Sequence, residues 1–511
     1  MPRTRDLPPL TLLVFVVGMS TLGAEIAAAR LMAPFFGAST IVWANTIAIV
    51  LVALSIGYWL GGRLADKRPE KASLCKLVVI ASLLLALVPL VSDPFLSLSV
   101  EAFDDVSVGG FAGSLFGVLI LVAVPVLMLG AVAPWAIRLK VDDVAHSGEI
   151  AGRLYAISTV GSLVGTFLSA LLLIPLVGTQ RTFLAFALTL ALVSALGLPR
   201  RWLLAPVFVA LLIAVPVGTV KGSTKQGARV IHEADTTHQY ARVVEYADGE
   251  RHLELNEGQA VHSIYRRETV LTGDVWDGYL TAPLAARSEA PGRLAILGNG
   301  AGTTVRAYAK YFPSTRIDAV EIDGELTEIG KEFFDLQERP GLRFFAEDAR
   351  PFLARMEDER YDAIFVDAYR QPYIPFYLAT TEFFELVRDR LAPGGAMVIN
   401  VGHPKGSDDL EQVLTATVRS VFPNVVRDPL ESTNTLLVAS MTEPVGADRL
   451  RTAASAPSVP ADVQQLAGEA AARVVPALRG GRVYTDDRAP VEWLIDKSIV
   501  EYAADGAPGR D

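Results

Sequence analysis

Residues 9–220 are almost continuously apolar, and near residue 221 the chain changes to the mixed composition of a water-soluble protein. A helix that crosses a bilayer takes about 20 apolar residues. Seven stretches of that kind are read here, roughly 10–34, 39–62, 77–100, 110–136, 155–178, 182–199 and 202–220. The first run is long and others follow it, which argues against a cleaved signal peptide. The expected partner of this half is a lipid bilayer, in a cell membrane. The averages of 51% hydrophobic and 20% charged residues therefore describe neither half, but they exclude a disordered chain. Cys75 stands alone, so a disulfide scaffold is excluded as well. A net charge of −10, from 46 basic and 56 acidic residues, argues against nucleic acid as a partner.

Lys and Arg in short loops set orientation. Arg3 and Arg5 precede the first apolar run, and Arg63, Lys67, Arg68, Lys71 and Lys76 follow the second. Arg138, Lys140 and Arg153 follow the fourth, and Arg200 and Arg201 the sixth. The bias puts the N-terminus inside, and seven crossings would put the second half outside. Cytoplasmic supply of the cofactor inferred below argues instead for a cytoplasmic second half. Gly161, Gly165 and Ser169 form a small-xxx-small series that suits close helix packing, with a lipid-facing helix as the alternative. Glu25 and Arg30 interrupt the first run, either as a polar site or near the interface, and Pro34 and Gly37 favour the interface.

The second half opens with strand signals at 229–265. Tyr240-Ala-Arg-Val-Val-Glu-Tyr246 and Arg251-His-Leu-Glu-Leu255 flank Asp248-Gly249, which reads as a two-residue hairpin turn. Asn256-Glu-Gly258 reads as a second turn, leading into Ala260-Val-His-Ser-Ile-Tyr265. Strands then alternate with helices. Strands are expected at 294–297, 317–322, 342–345, 361–367, 396–401, 424–429 and 434–440, and helices at 303–312, 324–336 and 379–391, the last stopped by Pro393-Gly394-Gly395. Continuous apolar strands between helices imply a parallel sheet covered on both faces.

Gly298, Gly300 and Gly302 occupy the turn after the first of these strands, where backbone can approach a ligand or simply turn tightly. Glu321 ends the second strand, about 20 residues on, where an acid can accept from ribose hydroxyls. Asp348 ends the third, placed for an adenine amine, and Asp367 ends the fourth, beside the reacting centre. Three acids at successive carboxyl ends of a parallel sheet line one crevice, which points to a bound adenine nucleoside. The strands at 424–440 do not make the second half a dinucleotide fold needs, no Walker lysine appears, and no His or Cys cluster suggests a metal.

Residues 229–441 resemble the spermidine synthases, the polyamine aminopropyltransferases. The carrying segments are Gln239-Tyr-Ala-Arg-Val-Val-Glu245, LGNGAG at 297–302, VEID at 320–323, AEDAR at 346–350, YDAIFVDAY at 361–369, APGG at 392–395 and TDDRAPVEWL at 485–494. With GAEIAAARLMAPFFG at 23–37 and GYWLGGRLADKRP at 57–69, the whole chain resembles the bacterial membrane-fused form. The resemblance implies a multi-pass α-helical membrane bundle (1–220), a small antiparallel β-sheet (221–270), and a Rossmann-like α/β domain of the S-adenosylmethionine-dependent transferase type (271–511). It implies a donor, decarboxylated S-adenosylmethionine, whose aminopropyl group passes to an amine such as putrescine, releasing methylthioadenosine. Gln239, Glu321, Asp348 and Ala349 match nucleoside-binding positions, Gly298, Gly300 and Gly302 the glycine loop, and Asp367 the proton-accepting aspartate. Members of the family often dimerise, so a homodimer is expected.

The sequence also departs from the family. Ala301 stands where an amine-anchoring aspartate is usual, Arg370 replaces the second acid of a D-x-x-D pair, and the Tyr-His-Glu acceptor motif is not recognisable in 262–280. The acceptor half is thus expected to be largely lost. A methyltransferase using intact S-adenosylmethionine, with Arg370 as a partner for its carboxylate, and a non-catalytic nucleoside sensor or transport-linked protein remain alternatives.

Overall fold

The computed structural model describes residues 8–36, 40–104, 109–141, 146–214, 228–236, 238–255, 260–287, 289–369, 374–403, 407–442, 444–491 and 494. The chain divides into two compact units, Met1–Ser223 and Thr224–Asp511.

The first unit is helical. Five of its stretches are long and apolar enough to cross a membrane: Leu10–Ala33, Val42–Lys67, Lys71–Ser92, Ala123–Lys140 and Ser147–Ala195. The seven expected stretches map onto these unevenly. The fourth is broken into Gly109–Leu121, Ala123–Gly130 and Val132–Lys140, and Pro125 and Pro134, lacking an N–H, sit just inside the second and third pieces. The fifth and sixth form one 49-residue run, which passes through a π-turn at Ser169–Leu173 and is interrupted at Gly178, with φ 81°. The seventh is the ten-residue helix Leu204–Ile213, half the length of a crossing, and 215–220 lies outside the described residues.

The small-residue series packs closely. A Cβ on Gly161 would lie 2.2 Å from the Phe15 carbonyl oxygen, and one on Gly165 1.9 Å from that of Met19. Ser169 Oγ donates to the Gly23 carbonyl at 3.0 Å. Helices Leu10–Phe36 and Ser147–Leu168 therefore meet backbone to backbone, and the lipid-facing alternative fails for this face. Glu25 is buried about three turns before its helix ends at Phe36, so the end-of-helix explanation does not extend to it. The outward faces are apolar: Leu163, Phe167, Leu171, Leu176, Leu204 and Leu211 are each more than half exposed.

The second unit holds two sheets. The smaller joins β1 (Ala228–Asp235), β2 (Tyr240–Tyr246), β3 (Arg251–Leu255) and β4 (Ala260–Tyr265) in sequential antiparallel order. The β2–β3 turn is one residue longer than expected. Tyr246 pairs with Glu250, and Gly249, at φ 83°, takes the left-handed position that closes a three-residue loop. The Asn256-Glu-Gly258 turn lies outside the described residues.

The larger sheet contains β5 (Arg293–Leu297), β6 (Arg316–Glu321), β7 (Leu342–Ala346), β8 (Tyr361–Val366), β9 (Leu391–Gly402), β10 (Asn424–Pro429), β11 (Asn434–Ser440) and the short β12 (Val475–Pro476). Their order is β12-β10-β11-β9-β8-β5-β6-β7, with β5 to β9 parallel and β10 to β12 antiparallel. Both faces are covered. Along β5, Leu294 and Ile296 enter one core with Tyr279, Tyr308 and Val463, while Ala295 and Leu297 enter the other with Phe352, Phe383 and Phe422. Two expected boundaries shift. The helix at 324 ends at Phe333, because Asp335 takes φ 54°. β9 begins at Leu391, before the glycines, which form an irregular stretch between the Tyr361–Leu391 and Ala363–Ala396 pairs. Chain order runs outward from β5 through β6 to β7, then returns to β8 and β9 on the other side. This reversal opens a crevice beyond the carboxyl ends of β5 and β8.

Candidate functional site

A cavity of about 410 Å³ occupies that crevice, a size suited to a small-molecule ligand. Gln239, Gly298, Gly300, Glu321, Asp348, Ala349 and Asp367 all line it. Gly302 does not. It starts the helix Thr303–Tyr311 at φ 88°, and a Cβ there would meet the Leu336 side chain at 2.5 Å, so this glycine serves packing.

Each acid is held by the strand end that carries it. Glu321 accepts from the backbone N–H of Gly300 at 2.8 Å and of Asp323 at 3.1 Å. Burial nevertheless raises its pKa to about 7, because the lost hydration of the carboxylate outweighs those two donors. Asp323, missed in the sequence reading, ties the small sheet to this corner. Its Oδ2 accepts from Thr236 Oγ1 at 2.6 Å and from Gln239 Nε2 at 3.4 Å. Asp348 begins the helix Ala349–Arg355, accepting from the Arg350 N–H at 2.9 Å, and also accepts from the Tyr377 hydroxyl at 2.5 Å. Arg350 in turn makes a bidentate pair with Asp486 at 2.7 and 2.6 Å, which docks the terminal TDDRAP segment onto this helix.

Asp367 closes the other side. Asn434 Nδ2 donates to Asn400 Oδ1 at 3.0 Å, and Asn400 Nδ2 donates to Asp367 Oδ1 at 2.9 Å. This two-amide relay from the antiparallel edge fixes the rotation of the carboxylate. The buried Tyr279 hydroxyl lies near Asp367 without closing a hydrogen bond of good geometry. Burial raises the Asp367 pKa to about 6, against the lowering effect of Asn400. Tyr369, also on the cavity wall, is pinned by its hydroxyl donating to the Asn400 carbonyl at 2.9 Å.

Three further acids on the wall were not singled out from sequence: Asp274, Glu431 and Glu347, the last ion-paired with Arg355. Asp274 precedes the helix Val275–Thr281, yet its side chain accepts no capping bond from that helix. Its loop is braced by Asp277, which accepts from the Thr272 N–H at 2.9 Å and the Gly273 N–H at 2.8 Å. Glu431 comes from the β10–β11 connection. Burial raises the pKa of Asp274, and burial followed by the charge of Asp274 raises that of Glu431. Carboxylates supplied by segments that show no motif thus stand in the cavity wall beside the expected acids. Among the described residues, six carboxylates (Asp274, Glu321, Glu347, Asp348, Asp367 and Glu431) line it. Such a wall attracts cations, and a cation lowers the cost of keeping neighbouring acids ionised. His262 also lines the cavity; burial lowers its pKa to about 4, and its Nε2 has no hydrogen-bond partner. Arg370 lies outside the described residues. Ala301 is fully buried against Leu326, Ile329 and Phe334.

Residues 282–441 match the family model of the spermine/spermidine synthase domain. A probable polyamine aminopropyl transferase of Bifidobacterium longum is 33% identical over 293 residues, covering 54% of this chain and 64% of the relative. A polyamine aminopropyltransferase of Vibrio vulnificus is 33% identical over 156 residues, covering 30% and 51%. The chain thus spans about half to just under two thirds of the length of these curated relatives. Among solved structures, a probable spermidine synthase from Corynebacterium glutamicum is 22% identical, with a TM-score of 0.37 over 50% of this chain and 96% of that one. The spermidine synthase of Thermotoga maritima is 18% identical, with a TM-score of 0.35 over 44% and 78%.

Proposed function

We propose that this chain, whose residues 282–441 match the spermine/spermidine synthase domain, transfers an aminopropyl group from decarboxylated S-adenosylmethionine to an amine acceptor such as putrescine. The observation that carries the reading is the meeting of Glu321, Asp348 and Asp367 in one cavity with a wall of carboxylates. In this reading Glu321 accepts from the ribose hydroxyls, and Gln239, Asp348 and Ala349 hold the rest of the nucleoside. Gly298 and Gly300 let the loop pass close beneath it. The acceptor nitrogen attacks the carbon next to the sulfonium, the C–S bond breaks toward sulfur, and methylthioadenosine leaves. Asp367 takes the proton lost by the attacking nitrogen. Holding an amine in line with a sulfonium supplies much of the rate. Asp274 and Glu431 attract the remaining ammonium of a polyamine, which supports an amine rather than an anionic acceptor. The methyl-transfer alternative leaned on Ala301 and Arg370; Ala301 is buried in the Leu326–Phe334 core and offers the cavity no group, and Arg370 lies outside the described residues.

We infer further that the first unit spans a lipid bilayer, supported by five sufficiently long apolar stretches and their exposed leucine and phenylalanine faces. The run Ser147–Ala195 is about 74 Å long if fully helical, over twice the thickness of a hydrocarbon core, and its break at Gly178 divides it into two crossings. Six crossings return the chain to the side of its N-terminus, which the basic loops assign to the cytoplasm. The second unit then meets its donor where it is made.

The test of the activity is direct. The full chain, purified in detergent, is incubated with decarboxylated S-adenosylmethionine and putrescine, and the products are weighed. Spermidine with an equal amount of methylthioadenosine is expected. S-adenosylhomocysteine formed from intact S-adenosylmethionine, with no aminopropyl product, would overturn the reading.

A further inference from the structure

Asn299 lines the cavity and carries one side-chain acceptor without a partner among the described residues. The residue is 6% exposed and lines the cavity wall. Its backbone N–H donates to the Val320 carbonyl at 3.1 Å, and its Nδ2 reaches the Gly300 carbonyl at 3.4 Å. Its Oδ1 is buried and has no partner among the described residues. A buried carbonyl oxygen without a donor is costly, and a ligand that supplies one relieves the cost. The loop fixes where that donor must lie. On one side, Gly300 gives its N–H to Glu321, the ribose end of the proposed site. On the other, Gly298 is pressed against the strand end that carries Asp367: a Cβ there would lie 2.3 Å from the Asp367 carbonyl oxygen. Asn299 therefore stands between the nucleoside end and the reacting end. A group reaching it must donate a hydrogen, and a wall of six carboxylates selects a cationic one. Ala301, two residues on, is turned into the Leu326–Phe334 core and offers nothing to a ligand.

We propose that Asn299 anchors the terminal ammonium of the aminopropyl donor through its Oδ1 and so sets the donor specificity of the site. This rests on the aminopropyl-transfer reading. Methylthioadenosine shares the nucleoside and lacks the aminopropyl chain, so it reports the rest of the site without the proposed contact. Calorimetry compares the two ligands on the full chain. Asn299→Leu is expected to weaken decarboxylated S-adenosylmethionine about tenfold or more, the size of one hydrogen bond to a charged group, and to leave methylthioadenosine unchanged. Retained binding of both ligands with an unchanged preference between them overturns the proposal. Should the leucine variant lose both ligands together, the isosteric Asn299→Asp decides. It must raise the preference for the charged donor over methylthioadenosine, and an unaltered preference again overturns the proposal. Failure of the native chain to bind methylthioadenosine would instead defeat the functional reading beneath it, and this inference with it.

Discussion

In the proposed reaction Asp367 accepts a proton only when ionised, and its burial moves that requirement into the measurable range. With a pKa raised to about 6, kcat/KM is expected to climb about tenfold per unit below pH 6 and to flatten above it. Asp367→Asn should abolish turnover and that acid limb while methylthioadenosine still binds; equal loss of binding would remove the proposed role. Glu321 makes a different demand. Its folded-state pKa of about 7 lies above the ordinary 4.5, so the folded chain holds more protons between those values. Stability therefore falls as pH rises through that window, by about 3 kcal/mol when the group is considered alone, and the cost is complete above pH 7. Glu321→Gln removes it. The variant is expected to melt several degrees higher than the native chain at pH 8, with no gain at pH 4.5, and to bind nucleoside more weakly. Calorimetric melts at the two pH values check the sign, and a gain at both would assign the effect to packing.

At the scale of elements, the loop at 272–274 holds Asp274 toward the cavity through the Asp277 clamp. Asp277→Ala leaves two backbone donors unmet. It is expected to raise the KM for putrescine about tenfold with the KM for the sulfonium donor unchanged, because only the acceptor end moves. Steady-state kinetics with each substrate varied in turn distinguishes that from a general loss of fold, which would depress kcat with both. The same loop shows what sequence could and could not reveal. β5, β6 and β8 were legible because parallel strands buried on both faces are short apolar runs, and an acid at the end of such a run is aimed at the crevice by topology alone. Asp274 and Glu431 carry no such local mark. One sits where a helix N-cap is expected and the other in a polar hairpin connection, and only the packing of the antiparallel edge brings them together. Asn400 lies inside a strand and becomes part of the site through its bonds to Asn434 and Asp367. Gly302 misleads in the opposite direction: it shares a motif with two cavity-lining glycines, yet its own neighbour is Leu336. The helix Val275–Thr281 escaped notice because Trp276-Asp277-Gly278-Tyr279 has no helical periodicity and contains a glycine.

For the molecule as a whole, the number of crossings decides whether the proposed chemistry has access to its donor. Seven apolar stretches read from sequence gave an odd count and a second unit on the wrong side. The described helices alter the arithmetic at one place. The proposed topology leaves out Leu204–Ile213, whose described helix is about 15 Å long, and counts Ser147–Ala195 as two crossings about Gly178. Basic clusters agree with an even count: in the proposed topology Arg63 and Lys67, Arg138 and Lys140, and Arg200 and Arg201 each follow a stretch that returns inward. A fusion reporter that is active only in the cytoplasm is expected to be active after Asp511 and after Lys140, and silent when inserted near Gly178. Activity near Gly178 would mean that the 49-residue run crosses once. Silence at Asp511 with activity at Lys140 would mean that 202–220 is a true crossing, and the second unit would then have to obtain its sulfonium donor from outside the cell.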